Sequence, residues 1–226
     1  MTNRIAIFDL DRTITTFGTF TPFLLSTQKS PLDRAALLGG FIPHLAAYGV
    51  GSSDRKMLKD RMMANTLSSF SRAEIAAYSQ AFVERTMISG LRPGAVEAIK
   101  KHNGAGDKLV MATASVDFYA SIFAERLGFD LCIATRTTFN DPSSDANGEA
   151  PRIVGANCYG RSKLDMVLAI LEETTGAPRD QQHWTFYSDH HSDFVLLHEA
   201  DTPVVVTPKL KTKTKAAREN LPVVVW

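Results

Sequence analysis

Short apolar runs alternate with longer amphipathic segments over most of the chain. Five of these runs have the length and the aliphatic content of buried strands: Arg4–Leu10, Lys108–Thr113, Leu131–Thr135, Trp184–Ser188 and Pro203–Val206. Helical spacing predicts helices beside them at about Pro93–His102, Asp117–Leu127, Ser162–Thr174 and Asp193–Glu199. Strands that alternate with helices in this way predict a parallel sheet with helices packed on its faces.

The stretch from residue 15 to residue 90 follows a different pattern, with helical spacing and no convincing strand. Ser71 and Glu74 form a capping box for a helix that runs to about Met87, and Asp54 caps a helix through Met63. The uncharged run Ala35–Ser53 contains glycines and a proline, so it predicts a helical hairpin rather than a membrane span.

These patterns together predict an α/β fold, a Rossmann-like parallel sheet with a helical cap inserted after the first strand. The core domain would comprise residues 1–14 and 91–226, and the cap residues 15–90. Turn residues within 136–155 predict a β-hairpin or flap, and Pro222–Trp226 an additional edge strand.

Composition limits the partners and the location of the protein. Of the 226 residues, 25 are Lys or Arg and 24 are Asp or Glu, so the net charge of +1 gives no reason to expect a nucleic-acid partner. The basic stretch 209–215 is interpreted as a solvated segment after the last strand. Two cysteines and an N-terminus without an apolar leader favour a cytoplasmic protein with no membrane partner.

Polar and acidic residues follow three of the predicted strands. Asp9 and Asp11 lie at the C-terminal end of the first strand, Thr113 ends the second, and Asp189 lies at the end of the fourth. The carboxyl ends of parallel strands meet at one crevice. Carboxylates gathered there repel each other unless a cation joins them, and oxygen ligands favour Mg²⁺. Such a site beside hydroxyl groups and a lysine is suited to holding a phosphate.

At this point the motifs resemble those of a known family, the haloacid dehalogenase (HAD) phosphatase superfamily. Asp9-Leu10-Asp11-Arg12-Thr13 is similar to its first motif, Asp-x-Asp-x-Thr, and Thr113 to its second. Lys163 resembles the third motif, and Asp189 with Asp193 the acidic fourth. The order of the motifs and the helical insertion after the first resemble the phosphoserine-phosphatase-like branch with a C1-type cap.

The resemblance implies a Mg²⁺-dependent phosphatase that acts on a small phosphorylated metabolite through an aspartyl-phosphate. Asp9 would be the nucleophile and Asp11 the general acid and base. Thr113 and Lys163 would bind the phosphoryl oxygens. The implied Mg²⁺ ligands are Asp9, the Asp11 backbone carbonyl and Asp189, with Asp193 behind them or acting through a water. A phosphotransferase that uses the same intermediate stays open, as does a non-catalytic binding protein.

The cap departs from the phosphoserine phosphatase pattern, because residues 15–20 contain no acidic side chain. Phe17 and Phe20 could form an apolar wall over the site or belong to the cap core. Arg55 could meet a second anionic group of the substrate, and His190 could contact substrate; a solvated helix face and an ordinary loop residue are the alternative interpretations. The substrate, the oligomeric state and the roles of His190, His191 and the 209–215 stretch stay open.

Overall fold

The computed structural model describes residues 3–139 and 149–226. Its strands are β1 (Asn3–Phe8), β2 (Lys108–Val116), β3 (Leu131–Thr135), β4 (Thr137–Thr138), β5 (Arg152–Ile153), β6 (Gln182–Ser188), β7 (Thr202–Val206) and β8 (Val223–Val224). Its α-helices are α1 (Phe20–Ser26), α2 (Pro31–Gly49), α3 (Arg55–Leu67), α4 (Arg72–Ser89), α5 (Pro93–Gly104), α6 (Asp117–Arg126), α7 (Arg161–Thr175), α8 (Phe194–Glu199) and α9 (Leu210–Arg218).

Six strands form one sheet in the order β3-β2-β1-β6-β7-β8, and every neighbouring pair is parallel. The chain builds outwards from β1 to β3, returns to the other side of β1 with β6, and then continues outwards to β8. The two central strands, β1 and β6, therefore leave a crevice at their carboxyl ends, where the direction of winding reverses. The predicted fold class is confirmed.

Side chains of the central strands alternate between two apolar layers, as the period of a strand requires. In β1, Ala6 and Phe8 face the layer that holds α5 and α6, whereas Ile5 and Ile7 face the layer that holds α7, α8 and Ala216 of α9. Both layers are buried, which explains why these strands appear in the sequence as continuous apolar runs.

Helices α1 to α4 lie between β1 and α5 in the sequence, and they pack on the first of these layers. Phe23 of α1, Met63 of α3 and Phe82 of α4 belong to the same buried cluster as Tyr119 and Phe123 of α6. Phe23 lies 5.0 Å from the Tyr119 ring, centroid to centroid. Capping boxes at Ser30 and Ser71 start α2 and α4.

The chain passes between the helices and the sheet at two adjacent places. Thr15 and Leu91 form an antiparallel bridge. The Thr16 amide donates to the Gly90 carbonyl at 2.8 Å, and the Arg92 amide donates to the Ile14 carbonyl at 2.9 Å. The two ends of the helical stretch are thus held against each other. The division into a cap of residues 15–90 and a core stays a prediction.

Two predictions of local structure were wrong. Ala35–Ser53 is not a hairpin, because α2 continues from Pro31 to Gly49 through Pro43, with Leu37 and Phe41 buried against the other helices. Strand β2 does not end at Thr113 but continues to Val116. The basic stretch 209–215 is largely solvated, as predicted, and most of it belongs to α9, which buries Thr212 and Ala216, four residues apart.

Other predictions agree with the structure. β8 extends the sheet, and β4 pairs antiparallel with β5 as the two arms of a hairpin. The turn residues predicted for that hairpin, 140–142 and 147–148, all lie outside the described residues. Within residues 3–139 and 149–226, none of the helices is both long enough and apolar enough to cross a membrane.

Candidate active site

Lys163 lies at the centre of the crevice and joins two acidic side chains. Its Nζ donates to Asp9 Oδ1 at 2.9 Å and to Asp193 Oδ2 at 2.7 Å. The side chains of all three residues are at most 7% exposed. Burial alone lowers the pKa of Lys163, but Asp193 and Asp9 reverse this and raise the pKa above its usual value. A protonated lysine therefore holds two carboxylates on the floor of the crevice.

Asp193 also accepts a hydrogen bond from the Ser188 hydroxyl at 2.7 Å. It occupies the residue before α8, but its side chain caps no amide of that helix. Asp193 therefore does not act as a helix cap. Its position at the end of a single 3₁₀ turn, His191–Asp193, directs its carboxylate back towards Lys163.

Asp189 presents a carboxylate with no partner to the cleft. Among residues 3–139 and 149–226, none donates a hydrogen bond to its side chain, which is nevertheless buried. Burial first, and the neighbouring Asp193 next, raise the pKa of Asp189 to about 6. Burial likewise raises the pKa of Asp9 well above its usual value, although Lys163 opposes the rise. Lys163 thus compensates the acidic side chains only in part, and a hard cation would supply further positive charge.

The carboxylate of Asp11 turns away from Lys163 and towards the helices. Its Oδ1 accepts hydrogen bonds from the amide and the hydroxyl of Thr19, the latter at 2.7 Å. Its Oδ2 accepts one from Ser115 Oγ at 2.8 Å, and Tyr119 donates to Ser115 at 3.0 Å. In the described part of the chain, no three acidic, histidine or cysteine side chains form a ready metal cluster. The acidic side chains are kept apart because Lys163 lies between Asp9 and Asp193, and because the Asp11 carboxylate points away from them.

A sharp turn after β1 sets these directions. Arg12 has φ 62°, in the left-handed region that side chains other than glycine rarely adopt. Its amide donates to Thr15 Oγ1 at 3.2 Å, and Thr13 Oγ1 accepts from the Asp189 amide at 3.0 Å. Thr13 thus ties the end of β1 to the end of β6.

Thr113 lies deeper than expected. It is completely buried inside β2, and its Oγ1 accepts from the Ser115 amide at 3.0 Å. Thr113 does not line the cleft, whereas the next residue, Ala114, does. The predicted contact of Thr113 with phosphate stays a prediction.

Lys59 reaches from α3 across to the end of β2. Its Nζ donates to the Ala114 carbonyl and, at 2.9 Å, to Asn157 Oδ1. Burial lowers the pKa of Lys59 to about 8, while Asp11 opposes that change. A second lysine therefore lies close to the acidic residues, and this one comes from the helical stretch.

The cleft between helices and sheet has a volume of about 590 Å³. Nine of the ten predicted site residues line it: Asp9, Asp11, Phe17, Phe20, Arg55, Lys163, Asp189, His190 and Asp193. The Arg55 guanidinium lies 4.1 Å from the centroid of the Tyr159 ring. His190 Nδ1 pairs with Ser192 Oγ at 2.7 Å, and burial, with His191 next, lowers the pKa of His190 to about 4.

The sequence analysis did not select Thr19, Ser115 or Tyr119 for the site. It treated Lys59 like Arg55, as a residue that could meet a second anionic group of the substrate or belong to a solvated helix face. A buried lysine in a helix leaves no pattern that separates it from an exposed one. Ser115 had a usable signal, because it lies two residues beyond Thr113 on the same strand and hence on the same face.

The cleft thus holds a strand-end aspartate that is bound to a buried lysine and lies beside further carboxylates. Over residues 6–198 the chain matches the model of the haloacid dehalogenase-like hydrolase family, and it belongs to that family. The predicted recognition and the predicted enzyme class, a HAD-like phosphatase, are confirmed.

Two curated proteins are similar to the chain along most of its length. Protein CicA of Caulobacter vibrioides is 32% identical over 197 residues, covering 87% of this chain and 83% of that protein. The histidinol-phosphatase of Neisseria meningitidis serogroup C is 23% identical over 223 residues, covering 97% of each.

Solved structures share the fold. A protein of unknown function from Bordetella pertussis Tohama I has a TM-score of 0.84 at 24% identity, with 99% of each chain covered. A phosphoserine phosphatase, solved as an analogue of its phospho-aspartyl intermediate, has a TM-score of 0.65 at 15% identity and covers all of this chain and 94% of that one. At these identities the likeness concerns the fold alone.

Proposed function

We propose that this protein is a Mg²⁺-dependent phosphomonoester hydrolase that works through an aspartyl-phosphate on Asp9. The single observation that carries the proposal is the buried arrangement of Asp9, Lys163 and Asp193 at the reversal point of the sheet, with the free Asp189 carboxylate beside it. It supplies a nucleophile, a fixed positive charge and oxygen donors in one cleft, which are the components that phosphoryl transfer requires.

Asp9 attacks the phosphorus atom, and the bond between phosphorus and the ester oxygen breaks. Lys163, already bonded to Asp9, neutralises charge on the phosphoryl oxygens. Asp11 gives a proton to the departing alkoxide and later takes one from the water that cleaves the aspartyl-phosphate. Thr19 and Ser115 hold the Asp11 carboxylate at the wall of the cleft, so they are proposed to orient it for both transfers.

The residues present fit a magnesium ion. Asp189 is a buried carboxylate without a hydrogen-bond donor among the described residues, and hard oxygen donors are those that Mg²⁺ prefers. Asp9, Asp189 and the Asp11 backbone carbonyl would hold the ion, with Asp193 behind them. The bound ion would neutralise negative charge on the phosphate.

Related proteins support the same reaction class, since one of them is a histidinol-phosphatase and another is a phosphoserine phosphatase. The substrates of those two proteins are not assigned to this protein. His190 and Arg55 stay candidates for substrate contact.

The proposed activity is tested by phosphate release from p-nitrophenyl phosphate. We expect release with Mg²⁺ present, loss of release with EDTA, and recovery when Mg²⁺ is added back. Adding butanol as an acceptor separates hydrolysis from phosphotransfer, because only transfer yields butyl phosphate. Equal release with and without a divalent ion would contradict the proposal.

The affinity for Mg²⁺ should increase as the pH rises through about 6. The pKa of Asp189 is raised to about 6, so below that pH the carboxyl holds a proton that the metal must displace. The raised pKa of Asp9 acts in the same direction. Calorimetric titration at about pH 5 and about pH 7.5 measures the difference, with the exposed Asp180→Asn as the control. Identical affinities at both values would refute the assignment of Asp189 as a ligand.

A further inference from the structure

Helix α2 presents an apolar face that the other described residues leave about half exposed. Leu38, Ile42 and Leu45 are 46%, 64% and 49% exposed. Their spacing of four and three residues places them on one side of the helix. From residue 35 to residue 53 the chain has no Asp, Glu, Lys or Arg. An exposed apolar face without charge is costly in water, so such a face usually marks an interaction site.

This face, which we call the α2 face (Leu38, Ile42 and Leu45), continues into the cleft. Leu45 belongs to both, and Tyr48, one turn further, also lines the cleft. Below them the wall of the cleft is formed by Leu58 and Met62 of α3. Apolar side chains of α2 and α3 therefore line the same cleft as Asp9.

The carboxylates of the cleft come from the chain that follows β1 and β6, at the carboxyl ends of the strands. Asp9, Asp189 and Asp193, with Lys163, lie where the phosphate would bind. Helices α2 and α3 contribute no acidic side chain to the cleft: their lining residues are Leu45, Tyr48, Leu58 and Met62, with the cationic Arg55 and Lys59. A leaving group directed towards α2 would meet the apolar side chains among them.

Cations lie at the rim of the same cleft. Arg55 lines it, and His191, in the turn before α8, is within electrostatic reach of Arg55, Lys211 and Lys215. Lys209, Lys211 and Lys213 of the α9 region are exposed. An apolar face beside a basic rim is the combination by which proteins lie on anionic lipid surfaces.

We propose that the substrate is an amphiphilic phosphomonoester, with an apolar tail on the oxygen that leaves, and that the enzyme takes it from an anionic lipid surface on which the α2 face rests. This deepens the proposed function and rests on it. It differs from the sequence expectation of no membrane partner. The contact is peripheral, because none of the described helices can cross a bilayer.

Dodecyl phosphate carried in vesicles of phosphatidylcholine and phosphatidylglycerol is the test substrate, and butyl phosphate in solution is its short-chain counterpart. The variant is Ile42→Glu, at an exposed position of the α2 face. Ile88→Glu is the matched control, since Ile88 is 85% exposed on α4. p-Nitrophenyl phosphate reports whether each variant is intact, and vesicle co-sedimentation measures binding without catalysis.

We expect the wild type to bind the mixed vesicles and to hydrolyse dodecyl phosphate faster than butyl phosphate. Ile42→Glu should reduce vesicle binding and dodecyl phosphate hydrolysis by about tenfold or more, the order expected when a buried aliphatic side chain is lost. Its hydrolysis of p-nitrophenyl phosphate should be unchanged. Ile88→Glu should change neither property.

Three results would overturn the inference. One is that the wild type does not bind vesicles. Another is equal hydrolysis of the two alkyl phosphates while p-nitrophenyl phosphate is cleaved, which leaves the phosphatase intact. The last is that the wild type is a dimer which Ile42→Glu dissociates, while the hydrolysis of dodecyl phosphate stays unchanged. The α2 face would then be a contact between two copies of the chain. Absence of all phosphate release, with vesicle binding retained, would refute the proposed function instead and support the lipid contact.

Discussion

Asp9→Asn is expected to lower phosphate release by a factor on the order of 10⁴ or more, since it removes the nucleophile on which every later step depends. The amide keeps the size of the side chain but has little nucleophilic character. The protein should still fold, because burial and the neighbouring Asp193 and Asp11 already disfavour charge on Asp9. Single-turnover phosphate release at saturating substrate measures the loss.

Asp165→Asn is the matched control for this experiment. Asp165 lies on the same helix as Lys163, but its side chain is 57% exposed, and within residues 3–139 and 149–226 it pairs only with Arg161, across one helical turn. It should release phosphate at the wild-type rate. Asp9→Asn with activity within tenfold of wild type would require another nucleophile, and the proposed mechanism would then be wrong.

Lys163→Met should destabilise the protein and also abolish turnover. The change leaves Asp9 and Asp193 buried without the cation that joins them, and breaking a buried ion pair from one side costs about 3–5 kcal/mol. Urea denaturation at neutral pH measures the loss in the free energy of unfolding. Turnover fails because the phosphoryl oxygens lose their positive partner.

The pH dependence of the free energy of unfolding distinguishes loss of the buried ion pair from a general loss of packing. Without Lys163 the pKa of Asp9, already raised, rises further. A carboxyl whose pKa is higher in the folded than in the unfolded state stabilises the folded state at pH values below its unfolded-state pKa. This stabilisation is lost as the pH rises through the folded-state pKa. Lys163→Met should therefore be more destabilised at about pH 8 than at about pH 5.

A double variant completes the comparison. Combining Lys163→Met with Asp193→Asn removes one of the two buried carboxylates that have lost their lysine partner. The double variant should therefore recover part of the lost stability but none of the activity. A Lys163→Met protein as stable as the wild type at every pH would show that the lysine does not compensate the buried carboxylates.

The sequence predicted the sheet well because its strands are buried on both faces. Ile5, Ile7 and Phe8 all lie in the interior, so β1 appears as an unbroken apolar run and its end can be located at Asp9. Residues that follow such strands come together whatever the loops do. This is why Asp9 and Asp189 could be placed at one crevice from the sequence alone.

Contacts from the helices were harder to predict, since they depend on packing between distant segments. Lys59 has the same sequence context as its exposed neighbour Arg61, and only the approach of α3 to Ala114 buries it. The glycines and the proline of Ala35–Ser53 favoured a hairpin, yet α2 continues through Pro43. The direction of Asp11 likewise depends on Thr19, eight residues away on another element.

The bridge between Thr15 and Leu91 bears on how such an enzyme can diversify. Because the two ends of the intervening stretch are already in contact, a longer, shorter or unrelated insert can be joined there with little added loop-closure entropy. Phe20, Arg55 and Met62, which line the cleft, come from that stretch, whereas Asp9 and Lys163 lie outside it. New leaving-group preferences can therefore arise by exchange of the insert, provided that it still offers apolar contacts to α6, while the reaction chemistry is inherited unchanged.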